Sequence, residues 1–120
     1  NMTACLSFGQ MAMGAKAGAS YISIFSGRVS DEGNDSTKLI QESVNWLAHW
    51  NYPSEIIVGS IREAINIQDA AMAKAHIITT PPQFLLKWVD HYYTRATVRT
   101  FNEDAKEAAA KMTELKFLAS

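Results

Sequence analysis

Three short runs hold the residue types that could do chemistry: Asn1-Met2-Thr3, Ser23-Ile24-Phe25-Ser26-Gly27-Arg28 and Gly59-Ser60-Ile61-Arg62. Arg28 follows a glycine in a turn, and Ser60 with Arg62 opens the way into a helix-like stretch. Two guanidiniums and a hydroxyl converging from adjacent loops suit a phosphate or sulfate, because arginine presents a planar fork of donors. Taken singly, each arginine is more often a surface ion-pair partner, and Asp31, Glu32 and Glu63 stand ready for that role. Asn1, Thr3, Ser23 and Phe25 form a second set. On parallel neighbouring strands they would share a face, where polar groups need partners or water and read as the lining of a site. The competing reading is ordinary serine and threonine bonded to backbone. Tyr21, further down the same strand, is expected in the core.

Other chemistries are poorly served. His49, His76 and His91 are scattered and have no metal-ligand spacing with one another or with Cys5, so no metal and no cofactor is expected. The lone Cys5 sits in an apolar stretch and reads as a small buried hydrophobe in a reducing compartment. Carbonyl chemistry through an imine needs a lysine. All of Lys16, Lys38, Lys74, Lys87, Lys106, Lys111 and Lys116 fall in helix-like segments, none at a strand end.

These residues must be positioned by a chain of 120 residues, 48% hydrophobic, with a formal net charge of −1. That suits one globular domain and gives no basic stripe for nucleic acid. No apolar run approaches the roughly 18 residues that span a membrane, and no signal peptide opens the chain, so a cytoplasmic location is expected. Strands are expected at Met2 to Leu6, Ser20 to Phe25, Glu55 to Gly59 and His76 to Thr79. Helices are expected at Phe8 to Ala17, ending at Gly18, and at Thr37 to Trp50, capped by Ser36. Further helices should run over Ile67 to Ala75, opening near Asn66, from Pro81-Pro82 to about Val89, and from near Asn102 to Leu118. Ser26 to Ser36 reads as a polar loop.

Strand and helix alternating at this spacing argues for parallel βαβ units. Four units are too few for a closed eight-stranded barrel, which runs to about 250 residues. Half a barrel accounts for both the shortfall and the polar face carrying Ser23. The expected organisation is one partial-barrel domain over residues 1–120, with four βα units in 1–90 and a helical extension in 91–120. The chain opens inside a strand, so structure is expected before it. An open barrel interior with two free sheet edges also predicts association, as a homo-oligomer or with a complementing half-barrel.

At these residues the chain resembles the carboxyl-terminal half of the transaldolase family, closest in style to the small transaldolase and fructose-6-phosphate aldolase group. The resemblance rests on Asn1-Met2-Thr3 with Ser7-Phe8-Gly9-Gln10, and on Ala17-Gly18-Ala19 leading into Ser23 through Arg28. It continues through Gly59-Ser60-Ile61-Arg62 and Thr79-Thr80-Pro81, covering roughly residues 1 to 105. It implies strands five to eight of a (β/α)8 TIM barrel that transfers a dihydroxyacetone unit between sugar phosphates through a lysine Schiff base. By the same resemblance Arg28, Ser60 and Arg62 hold the sugar phosphate, while Asn1 and Ser23 bind substrate. Thr3 positions the catalytic water, and Phe25 lines the chamber. Phe25 stands where transaldolases carry phenylalanine and the related aldolases tyrosine, which favours the transferase. Ile24 replaces a usual proline. The resemblance puts the Schiff-base lysine on the strand before residue 1 and the acid–base carboxylates earlier still, so these residues alone are expected to be inactive.

Overall fold

The computed structural model describes residues 1–119. Its elements are β1 (Met2–Cys5), α1 (Phe8–Lys16), β2 (Tyr21–Phe25), α2 (Ser26–Asp31), α3 (Ser36–His49), β3 (Glu55–Gly59), α4 (Ala64–Met72), β4 (Ile77–Ile78), α5 (Pro82–Val89) and α6 (Tyr92–Leu118). The strands pair in parallel in the order β1-β2-β3-β4. Parallel neighbours can be joined only by a crossover, and α1, α2 with α3, and α4 supply the three that are needed. This is the order of four consecutive units of a (β/α)8 barrel.

One sheet face meets the helices. Ile22, Ile24, Ile56 and Val58 are fully buried there with Met11 of α1, Val29 of α2, Ile40 and Leu47 of α3 and Ile67 of α4. Each large side chain so buried contributes roughly 1.5–3 kcal/mol. Gly14 lets α1 lie close to the sheet, since a Cβ there would stand 3.6 Å from Ile22 Cδ1 and run into Met2 Sδ. The opposite face stays open, with Tyr21 40% and Ile77 39% exposed. The expectation that Tyr21 belongs to the core is therefore corrected: among the described residues of the sheet and its helices, α1 to α4 pack over the other face and leave this one open.

β1 is irregular. Met2 pairs with Ile22 and Cys5 with Ile24, so Thr3 and Ala4 together oppose Ser23. Ala4 takes φ 58°, a left-handed conformation that costs an L residue roughly 1–2 kcal/mol. Such bulges bend a strand and redirect its side chains.

The helices differ from expectation at four places, each for a physical reason. Residues 26–31 form α2, although their composition is that of a loop. Val29 is buried, Ser26 Oγ donates to Gly59 O at 3.1 Å and Gly27 N–H donates to Ser60 O at 3.1 Å, so tertiary contacts override weak propensity. Asp35, one residue before the expected Ser36, caps α3 by accepting from Lys38 N at 2.9 Å, and Ser36 Oγ pairs with Ser30 Oγ instead. α4 opens at Ala64, because Asn66 Oδ1 reaches back to the N–H groups of Arg62 and Glu63. α6 begins at Tyr92, ten residues earlier than Asn102. Its first turns are rich in aromatic and β-branched residues, which masked them, but no glycine or proline interrupts them and His91 Nδ1 accepts from Tyr93 N.

The chain divides into two compact units, Asn1–Trp88 and the segment from Val89 onward. The first holds the sheet and its core, and the second holds α6, in which no described residue is buried. Among the described residues, no helix is long and apolar enough to cross a membrane.

The caps make the first prediction. Asp35→Ala should lower the unfolding free energy by about 1 kcal/mol in urea titrations, whereas Ser36→Ala should change it by less than about 0.5 kcal/mol. Equal losses would return the cap to Ser36.

Candidate functional site

On the open face the parallel register places side chains in rows. Ser23, Ile57 and Ile77 form the middle row; Phe25 and Gly59 lie one step toward the carboxyl ends of the strands. Ser23 is 5% exposed and its Oγ donates to Asn1 Oδ1 at 3.0 Å, so two of the sequence-derived lining residues meet directly. Thr3 is exposed and lies on the bulge opposite Ser23. Phe25 is half-buried at the strand end. Its ring lies over Gly59, where a Cβ would stand 3.5 Å from Phe25 Cδ1 and 3.4 Å from Thr79 Cγ2. An added Cβ would thus make ordinary van der Waals contact with both ring and methyl.

The carboxyl ends of β2 and β3 are joined at Gly27. A Cβ on this glycine would come within 2.8 Å of both Ser60 Oγ and Arg62 Nε, and would overlap Ser60 O. Ser60 itself adopts φ 61°, a left-handed conformation held by the bond its carbonyl accepts from Gly27. A strained residue fixed by its surroundings at a strand end is the kind of position where sites are built. Ser60 and Arg62 are thus brought together beside the start of α2.

The two arginines are held differently. Arg62 pairs with Asp31, whose carboxylate accepts from its Nη1. Both side chains are about half exposed, so the pair is worth about 0–1 kcal/mol and can be exchanged. Arg28 has no carboxylate partner among the described residues, and its guanidinium carbon lies 5.6 Å from the centroid of the Phe25 ring. That contact is worth about 0.5–1 kcal/mol at an exposed position. The structure therefore turns Arg28 toward Phe25, at the end of the open face, and Arg62 toward α2.

A cleft of about 300 Å³ between α2, α3 and α4 is lined by Ser30, Asp31, Arg62, Asn66 and Asp69, among others, and not by Arg28 or Ser60. Asp31 is one of the ion-pair partners the sequence offered, whereas Ser30, Asn66 and Asp69 are polar residues here that sequence reading left without a role at the site. The spacing of Asn66 four residues after Arg62 is the one signal that could have linked it to this loop.

Other groups are accounted for by structure. Cys5 is buried, and burial pushes its thiol up. His49 ends α3 and His91 caps α6. His76 Nδ1 accepts from Ile56 N at 2.9 Å, extending the strand pairing beyond β4. No group of three or more histidine, cysteine, aspartate or glutamate side chains among the described residues could hold a metal ion. None of the lysines lies on a strand; Lys74, placed in a helix by its sequence, sits just beyond the end of α4 at φ 65°.

Residues 1–119 match the family described as transaldolase/fructose-6-phosphate aldolase. Among curated proteins, one from Mesorhizobium japonicum described as a probable transaldolase is 38% identical over 112 residues, covering 93% of this chain and 51% of its own length. A probable transaldolase of Clostridium acetobutylicum is 40% identical over 111 residues, 92% of this chain and 52% of that protein. One of Thermoanaerobacter sp. is 35% identical, covering 93% and 52%. The chain spans about half the length of the curated relatives it matches.

The close approach at Gly27 can be tested by stability. Gly27→Ala should cost about 1–3 kcal/mol, because Ser60 and Arg62 must move. Gly9→Ala, where an added Cβ meets nothing within 4 Å, should be neutral or stabilising by up to about 1 kcal/mol. Chemical denaturation of both variants checks the contrast, and a harmless Gly27→Ala would remove the packing argument.

Proposed function

This chain belongs to the transaldolase/fructose-6-phosphate aldolase family, and on that premise we propose that it carries the phosphate-binding part of a sugar-phosphate site. Arg28, Ser60 and Arg62 hold the phosphate. Asn1 and Ser23 bind the polar body of the sugar, Thr3 positions water, and Phe25 lines the chamber. The observation that carries this reading is the convergence of Ser60 Oγ and Arg62 on Gly27, one residue before Arg28. A phosphate dianion offers two charges where Asp31 offers one, so it competes for Arg62 through charge-assisted hydrogen bonds.

The reaction of the complete site is the transfer of a dihydroxyacetone unit between sugar phosphates. A lysine amine adds to the substrate carbonyl and loses water, and the resulting imine accepts the electron pair released when the carbon–carbon bond breaks. These 120 residues place no lysine on a strand, so by themselves they bind sugar phosphate without forming the imine. The reaction needs no metal or cofactor. A cytoplasmic location fits a reduced single thiol and a phosphorylated sugar.

A second reading rests on the open face, where Tyr21 and Ile77 are exposed. In this reading the chain is a non-catalytic half-barrel that covers that face with a second copy or a complementing half-barrel, and keeps the anion site. Tyr21 should then become protected from hydroxyl-radical labelling as concentration rises, with Ile77→Lys abolishing the protection. Labelling independent of concentration excludes it.

The principal reading is tested by titration with inorganic phosphate and fructose 6-phosphate, followed by calorimetry or NMR. Arg28→Ala and Arg62→Ala should each weaken binding about tenfold or more. Asp31→Asn should tighten it while changing stability by less than about 1 kcal/mol. Binding that survives both arginine substitutions would refute the grip. Borohydride treatment with fructose 6-phosphate should leave no covalent adduct; trapping one would overturn the division between binding and chemistry.

A further inference from the structure

The pairing of β3 with β4 runs one residue past the end of β4. Ile57 pairs with Ile77 and Val58 with Ile78, and Thr79 N–H then donates to Val58 O at 2.9 Å, which sets Thr79 beside Gly59. Gly59 in turn pairs with Phe25. Side chains two residues apart on a strand share a face, so Thr79 lies on the open face with Ile77. It completes a row of three at the carboxyl ends of the strands: Phe25, Gly59 and Thr79. The contacts agree, since a Cβ added to Gly59 would touch both Phe25 Cδ1 and Thr79 Cγ2. Ring and methyl converge over a glycine floor, where a C–H of a bound chain would find the contacts that this Cβ finds.

The methyl of Thr79 is engaged, but its hydroxyl is not. Thr79 is exposed, and its Oγ1 has no hydrogen-bond partner among the described residues. The neighbouring Thr80 differs: it is half-buried, and its Oγ1 donates to Pro81 O at 3.4 Å. Gly59 leads directly into Ser60, so the free hydroxyl stands beside the strand end that carries Ser60 and Arg62. From this, and on the premise that Arg28, Ser60 and Arg62 hold a phosphate, we infer that Thr79 is a further substrate-binding residue, one that sets specificity. Its Oγ1 bonds a hydroxyl on the carbon chain of a phosphorylated polyol, while C–H groups of that chain rest against the Phe25 ring and the Thr79 methyl. The arginines and Ser60 recognise the anion and would hold any phosphate ester; Thr79 recognises what the ester is attached to. A hydroxyl suits this task because it both donates and accepts, as does each alcohol group of a sugar. It must exchange water for substrate, so its effect is that of one neutral hydrogen bond, about fivefold in affinity.

The test titrates the full chain with inorganic phosphate, propyl phosphate and glycerol 3-phosphate, followed by calorimetry or NMR. The last two share a three-carbon ester and differ in the hydroxyls. Glycerol 3-phosphate should bind about fivefold more tightly than propyl phosphate. Thr79→Val keeps the branched shape and the methyl contact; it should remove that preference and leave inorganic phosphate binding unchanged. Thr79→Ser, which restores the hydroxyl, should restore the preference, and Thr80→Val should not alter it. A preference that survives Thr79→Val overturns the proposal. So does a Thr79→Val variant that loses inorganic phosphate to the same extent, since that marks a purely structural role. A chain that binds all three ligands alike overturns the role of Thr79 while sparing the phosphate grip, whereas a chain that binds none of them overturns both.

Discussion

The close contact between the ends of β2 and β3 at Gly27 is what the rest of this structure depends on. Gly27 N–H donates to Ser60 O and Ser26 Oγ donates to Gly59 O, so the first turn of α2 is bolted to the neighbouring strand end. That junction makes a helix of a segment whose composition favours a loop, and it holds Ser60 in a left-handed conformation. It also brings the second arginine loop against the first. Any side chain at Gly27 would push these parts away from each other, because the obstacles include the backbone oxygen of Ser60 as well as side-chain atoms. A single hydrogen-bonded junction thus links fold and site.

Much of the architecture was legible in the sequence because parallel strands buried by helices leave a strong mark. Glu55–Gly59 is apolar, short and bounded by turn residues, and it is a strand over the expected span. Tyr21–Phe25 alternates, with Ile22 and Ile24 turned to the helices and Ser23 turned to Asn1. Less legible were features that depend on distant partners. Asp35 outcompetes Ser36 as a cap because Ser36 is engaged by Ser30, six residues away. Tyr21 looks like a core residue by type, but an aromatic ring is buried only where something covers it.

At the site, the residue types and their order along the chain could be read directly, but the pairing could not. Arg28 and Arg62 look alike in sequence, each within a few residues of an acid. In the structure Asp31 takes Arg62, from the other strand end, while Arg28 lies over Phe25. The choice follows from where α2 turns: Asp31 is its last residue, on the side that faces the start of α4. Of the two, the guanidinium without a carboxylate partner among the described residues is the one beside the open face.

The irregularity in β1 has a chemical consequence. With strict alternation Asn1, Thr3 and Cys5 would all project to the open face, and a thiol would stand among the groups proposed to meet a sugar phosphate. The extra residue at Ala4 changes the parity of the strand after Thr3. Cys5 pairs beside Ile24 and enters the apolar core, 1% exposed, while Asn1 stays on the other side, bonded to Ser23. One left-handed alanine thereby segregates two kinds of nucleophile: hydroxyls stay where a substrate could reach them, and the sulfur, which would add reversibly to an aldehyde or ketone, is sequestered from it.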